Sequence, residues 1–164
     1  MIIRKLQRED LKSYQDTILE LLIDTYSINF QLSREQCRTI CKEKQELLDG
    51  YIKQGSAIVV GAINDDTLTG FLWLYKHDFL GEPRLHINQI AVSIRFRGKG
   101  IGKQLIQEAE KQAKLTGIET IDLFVSETNA GVVNMYIGMG YETERRYMKK
   151  SLGGKENVIN NLNR

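Results

Sequence analysis

The sequence is poor in several residue types. In 164 residues it has one proline, one tryptophan, two histidines and two cysteines. No apolar run approaches the ~20 residues of a membrane span. The opening stretch MIIRKLQRED has no signal-peptide hydrophobic region, so a cytoplasmic protein that does not engage membranes is expected. Cys37 and Cys41 are four apart, and a disulfide at that spacing would distort a helix. No histidine stands near them, so they make a poor zinc site. They read as free thiols in a reducing compartment. The net charge of +2 is too small to argue for nucleic acid. With 41% hydrophobic and 27% charged residues, neither disorder nor a coiled coil fits. No repeat or linker is visible, and the length suits one domain, taken as residues 1–152, with a polar tail at 153–164.

One local absence is more telling. No acidic residue stands between Glu82 and Glu108, while Arg84, Arg95, Arg97, Lys99 and Lys103 all do. The positive field surrounds RFRGKGIGKQL, which follows an apolar strand pattern and precedes a helical one.

The elements around it follow from periodicity. MIIRKL reads as a strand. Leu11, Tyr14, Ile18, Leu21, Leu22 and Thr25 recur at three- and four-residue steps, which predicts a helix over 8–26. SREQ is a capping box opening a second helix at Ser33, ending near Gly50. SAIVVGAI and TLTGFLWLYK read as a hairpin turned at NDD. Pro83 is placed in a loop, LHINQIAV is a strand, and Ile101, Leu105, Ala109 and Ala113 mark a helix. ETIDLFV is a strand. NAGVVNMYIGMG is a short helix stopped at Gly140, and YETERRYMKK alternates as a last strand. The order β-α-α-β-β-β-α-β-α-β predicts an α+β fold with a mixed, mainly antiparallel sheet and helices on both faces.

A helix N-terminus offers unpaired N–H groups and about half a positive charge, and Gly98, Gly100 and Gly102 let the backbone close on a ligand. Together these make an anion site. A P-loop is excluded, because Gln104 follows Lys103 where a Ser or Thr is needed and Arg97 stands at the first glycine position. The dinucleotide fingerprint fails too, because its third glycine is misplaced.

Arg97-x-x-Gly100-x-Gly102 is the [QR]-x-x-G-x-[GA] signature, and Asn129-x-x-Val132-Val133-x-Met135-Tyr136-x-x-x-Gly140-Tyr141 follows at the right distance. The pair in register resembles the GNAT N-acetyltransferase superfamily over most of the chain, with Val132 where an Ala is common. The resemblance implies acetyl-CoA as cosubstrate, no metal, and a primary amine of a small molecule or peptide as acceptor. It implies no nucleic-acid or membrane partner, and leaves a homodimer open through the edge of the last strand. By the same resemblance the loop amides of Arg97, Gly98, Lys99, Gly100, Ile101 and Gly102, with Lys103 beside them, hold the pyrophosphate. Main-chain groups of Ile90, Ala91 and Val92 pair with pantetheine, Asn129 touches that arm, and Tyr136 is the general acid.

The base is less determined. An alkyl amine near pKa 10.4 costs about 4–5 kcal/mol to neutralise at pH 7. Many members carry Glu at the position of Asn88, which cannot accept a proton. His86, taken to share a strand face with Asn88 and Ile90, is one candidate; Glu82, Glu127 and a water relay are others. Tyr26, Trp73, Tyr75 and Phe79 are cleft candidates, with Asp24, Asp78 and Glu82 as attractors of a cationic amine. A non-catalytic acetyl-CoA sensor and a nucleotide-binding module are the competing classes.

Overall fold

The computed structural model describes residues 1–30 and 32–152. In chain order it contains β1 (Ile2–Lys5), α1 (Arg8–Ser13), α2 (Gln15–Phe30), α3 (Arg34–Lys53), β2 (Ala57–Asn64), β3 (Thr67–Phe79) and β4 (Glu82–Val92). A 3-10 turn (Ile94–Phe96), α4 (Ile101–Leu115), β5 (Thr120–Leu123) and α5 (Ala130–Gly138) follow. Met1–Val125 forms one compact unit, and a second begins at Ser126. The strands line up in sequence order; neighbours from β1 to β4 are antiparallel and β5 joins β4 in parallel. The expected mixed, mainly antiparallel α+β fold is therefore present.

Turn chemistry explains the hairpins. Asp65 and Asp66 both have positive φ, 46° and 59°, and close β2 onto β3. Both central residues of a type I′ hairpin turn need that conformation. Leu80 and Gly81, at 53° and 86°, do the same between β3 and β4. Pro83 is therefore not in a loop: it lies in β4 opposite Asp78, near the start of the strand, where proline is tolerated.

The sheet's two faces carry different helices. Phe71, Trp73 and Ala91 pack with Ile18, Leu22, Cys37 and Cys41, so α2 and α3 cover one face. Leu72 alternates with Phe71 and Trp73 and pairs with Ile90. The Ile90 side chain approaches Gly102 of α4, so α4 lies on the other face. Buried Ile101, Leu105, Ala109 and Ala113 form the inward stripe of α4. Cys37 and Cys41 are buried free thiols, and burial pushes the Cys41 thiol up to about 11.

Three further expectations change. The predicted helix over 8–26 is broken at Tyr14, whose N–H bonds Asp10 O at 2.8 Å to end α1. The helix opened by Ser33 runs through Gly50 to Lys53. Residues 141–152 form no strand. An alternating pattern becomes a strand only where another edge accepts its N–H and C=O groups, and no ladder here includes these residues. The tail at 153–164 lies outside the described residues. Among the described residues no helix is long and apolar enough to cross a membrane.

Asp10 also fixes the start of the chain. It accepts from Gln7 N at 2.7 Å and from Arg4 Nη1 and Nη2 at 2.6 and 2.8 Å. These bonds hold its carboxyl down at about 2, against 3.8 ordinarily. A depressed folded value stabilises the native state above the unfolded value, and the contribution is lost as pH falls through the folded one. Urea unfolding should show the stability gap between wild type and Asp10→Asn shrinking between about pH 4 and pH 2.

Candidate active site

The site begins with one extra residue. Trp73 pairs with Gln89 and Leu74 with Ile87, so Asn88 is a bulge on β4. The bulge reverses the alternation across it. His86 and Gln89 face α2 and α3, while Ile87 and Ile90 face α4. The expectation that His86, Asn88 and Ile90 share a face is corrected by this one-residue insertion.

The same bulge coincides with the end of the β4–β5 ladder. That ladder runs from Arg84↔Thr120 to Ile87↔Leu123, while β4 continues to Val92. The outer edge of β4 beyond Asn88 is therefore free of β5. Ser93 N donates to Thr69 O at 2.8 Å. Antiparallel pairs alternate, so Ala91 and Gln89 also bond β3, and the main-chain groups of Ile90 and Val92 point to the open side. The Val92 carbonyl accepts Arg97 Nε at 2.9 Å, leaving the Val92 N–H and both groups of Ile90 on that edge. Arg97 Nη2 also reaches Thr25 Oγ1 of α2 at 3.4 Å. The Arg97 side chain thus fastens the loop to the end of β4.

The edge leads into the glycine loop. Gly98 and Gly100 have φ of 73° and 76°, a region that favours glycine, and a Cβ at either would meet open space. Gly100 is the N-cap of α4 and supplies no capping side chain. Gln104 N takes up the Gly100 carbonyl at 3.1 Å, and the N–H groups of Ile101, Gly102 and Lys103 have no partner within the helix. Lys99 Nζ lies 5.0 Å over the Phe96 ring, and Lys103 is exposed. An unfilled helix end beside two cations suits a phosphate-bearing ligand.

On the α2–α3 face, β4 and β5 place His86 opposite Asp122. His86 is 8% exposed, and its Nδ1 lies 2.7 Å from Asp122 Oδ1. A carboxylate accepts, so in the neutral ring this contact puts the hydrogen on Nδ1 and leaves the lone pair on Nε2. His77 Nε2 lies 3.1 Å from Asp122 Oδ2, and Arg84 Nη1 lies 3.6 Å from the same oxygen. Phe124, 89% exposed, has its ring 5.1 Å from His86. Asp122 was not anticipated from the sequence. The available signal was an aspartate inside the apolar strand ETIDLFV, one strand from a histidine.

Other candidates have different duties. Glu82 sits at the start of β4, bound to Arg84 Nε and Nη2 at 2.9 and 2.6 Å and to Thr120 Oγ1 at 2.5 Å. Asp24 is paired with Arg34 at 2.6 Å, and Asp78 accepts Gly81 N at 2.8 Å in the hairpin turn. Trp73 is fully buried core, and Phe79 lies 4.2 Å under the Arg84 guanidinium. Tyr75 stacks on Tyr51 at 4.4 Å. Tyr26 remains on the His86 side of the sheet, its hydroxyl accepting from Gln89 Nε2 at 3.2 Å, and burial raises its pKa.

The second unit has its own order. Asn129 caps α5 through its carbonyl, which accepts Val132 N and Val133 N at 3.0 Å each. Glu127 is exposed just before it. Tyr141 N bonds Tyr136 O at 3.0 Å and Gly140 N bonds Ile137 O at 2.9 Å, with Gly140 at φ 92°. This is a Schellman motif, and its apolar contact is the Tyr136–Tyr141 ring pair at 5.2 Å. The Gly140-Tyr141 pair of the sequence signature therefore locks the helix end that carries Tyr136. Burial pushes the Tyr136 hydroxyl up to about 12.

The profile of the Acetyltransferase (GNAT) family matches residues 16–141. A spermidine N(1)-acetyltransferase from Thermoplasma acidophilum is 28% identical over 150 residues, covering 87% of this chain and 88% of that protein. A mycothiol acetyltransferase from Propionibacterium freudenreichii subsp. shermanii is 28% identical over 131 residues, 80% of this chain but only 42% of that protein. An aminoglycoside acetyltransferase structure from an uncultured soil metagenomic sample superposes with a TM-score of 0.69 at 19% identity, covering 93% of this chain and 96% of that one. At that identity the likeness concerns the fold alone. With its family profile running from α2 through β2–β5 and the glycine loop to α5, the chain belongs to the GNAT acetyltransferase family.

Proposed function

We propose that the chain transfers the acetyl group of acetyl-CoA to a primary amine of a small molecule or peptide by direct attack. The observation that carries the reading is the β4 edge, freed beyond the Asn88 bulge and running straight into the uncapped end of α4. Pantetheine carries two amides, which satisfy a strand edge. Pyrophosphate needs donors and positive charge, which the amides of residues 98–103 and Lys103 supply. Ile90 and Val92 hold the arm; Ala91, whose main chain bonds β3, does not.

His86 is the base in this reading. The amine nitrogen forms a bond to the acetyl carbon, the C–S bond breaks, and the amine proton passes to His86 Nε2. Asp122 holds the imidazole in the tautomer that can accept it. The His86–Asp122 pair offers a candidate base where Asn88 offers none, and this supports the catalytic reading over a non-catalytic sensor. Tyr136 is assigned to the leaving sulfur. A phenol at about 12 stays protonated at working pH, yet full transfer to a thiolate of ordinary pKa ~8.5 is uphill by about 5 kcal/mol. The hydroxyl therefore donates a hydrogen bond to the sulfur, and the thiolate takes its proton from water on release.

Tyr136→Phe should lower turnover by about tenfold or more, the value of a hydrogen bond to a charged group, with little change in coenzyme A affinity. Unchanged turnover would remove Tyr136 from the reaction. The function itself is tested by an amine panel read by mass, containing polyamines, diamino acids and peptide N-termini. At least one amine should gain an acetyl group as free thiol appears. Tight coenzyme A binding with no amine accelerating thiol release would contradict the reading.

A further inference from the structure

Three neighbouring strands bring His77, His86 and Asp122 to one point. One ligand atom from each lies within 4.8 Å of the others, and among the described residues no other such His, Cys, Asp and Glu cluster occurs. His77 comes from β3, His86 from β4 and Asp122 from β5. His77 Nε2 is 3.2 and 3.1 Å from the two carboxylate oxygens, and His86 Nδ1 is 2.7 Å from Oδ1. All three stand on strands, so their separations are set by the sheet.

We propose that this cluster is a binding site for a zinc-class divalent ion, and that an ion held there switches acetyl transfer off. Two imidazole nitrogens and one carboxylate oxygen are the donor set of an open tetrahedral site, with water in the fourth position. Ligand atoms ~2.0–2.1 Å from such an ion stand about 3.3 Å from one another. The two imidazole-to-carboxylate separations, 2.7 and 3.1 Å, need to open by about 0.2–0.6 Å to reach that spacing, and the two imidazole nitrogens lie within 4.8 Å of each other, in reach of one ion. Arg84 Nη1, 3.6 Å from Asp122 Oδ2, opposes the ion, although its charge is offset by the ion pair with Glu82 at 2.6 Å. The opposing cation favours a reversible site over a permanent one.

The switch rests on the reading of His86 as base, and follows from its tautomer. Catalysis needs the hydrogen on Nδ1, donated to Asp122, and a lone pair on Nε2. An ion takes the lone pair of Nδ1, so the neutral ring carries its hydrogen on Nε2. The nitrogen that would accept the amine proton is then already protonated. Metal occupancy and base catalysis exclude each other without any movement of the strands.

Cobalt(II) alone is the probe. One ion per chain should give the visible absorption of a four-coordinate nitrogen–oxygen site, raise the thermal unfolding temperature, and abolish amine-dependent thiol release. Excess EDTA should restore it. His77→Ala should bind cobalt at least about tenfold more weakly, lose the thermal shift, and keep most of its turnover in EDTA. No cobalt binding by the wild type, thiolate charge-transfer bands from Cys37 or Cys41, or equal cobalt affinity in His77→Ala would each overturn the site, leaving the base assignment untouched. Cobalt bound at the cluster with turnover unimpaired would overturn the switch, and with it the role of His86.

Discussion

His86→Ala is expected to lower turnover about 10²- to 10⁴-fold, the usual contribution of a positioned base, with coenzyme A affinity nearly unchanged. The expectation follows from where the side chain sits. It faces α2 and α3, while Ile90 and α4 lie on the opposite face of the sheet. The cofactor edge and the base are thus on separable parts of β4, so the loss should fall on kcat rather than on donor binding. Removing a buried ring also leaves a cavity, and loss of activity through misfolding must be distinguished. His86→Asn does this. Its amide N–H still donates to Asp122, as Nδ1 does, but it offers no basic nitrogen. It should unfold near the wild-type temperature and be about as inactive as the alanine variant. Turnover in His86→Asn close to wild type would transfer the base to water or to Glu127.

Gly100→Asp is expected to weaken coenzyme A binding by at least about 100-fold, or about 2.7 kcal/mol. Two effects combine. At φ 76° a side chain strains the backbone by about 1–2 kcal/mol. The carboxylate also stands at the positive end of α4, where it competes with the ligand's phosphates for the same N–H groups. Gly100→Ala separates the effects, because it keeps the strain and lacks the charge. Its Cβ meets nothing within 4 Å, so no clash enters the comparison. It should destabilise the fold while losing much less affinity than the aspartate variant. Isothermal titration of coenzyme A into the three proteins measures the difference, and equal affinities would move the phosphate site elsewhere.

Both predictions depend on features of unequal visibility in the sequence. The glycine loop was legible because its chemistry is local. Gly98 and Gly100 need positive φ, and the apolar stripe Ile101, Leu105, Ala109, Ala113 begins directly behind them. The hairpin at Asp65-Asp66 and the helix stop at Gly140 were legible for the same reason. The Asn88 bulge was not. LHINQIAV alternates only as far as Asn88 and then doubles its polar position at Asn88-Gln89, a break that several arrangements could produce, and the register against β3 shows that one residue is surplus. That surplus residue decides which side chains share a face with His86 and coincides with the point where β4 passes the end of β5. Asp122 was hidden because its partner is 36 residues away and meets it only through strand pairing. Glu82 and Asp24 looked available as acids, but each is engaged by an arginine. Residues 141–150 alternate yet form no strand, because periodicity alone does not say which edge a segment would pair with.

Amide hydrogen exchange at single residues, with and without coenzyme A, tests the central claim most directly. In the free protein the amides of Ile90, Val92, Gly102 and Lys103 should exchange much faster than that of Ala91, which bonds β3. Coenzyme A should slow all four, while ATP at the same concentration should slow only those of α4, because it has phosphates but no pantetheine arm. Protection at Ala91 alone, or none at Ile90 and Val92 with coenzyme A bound, would contradict the account.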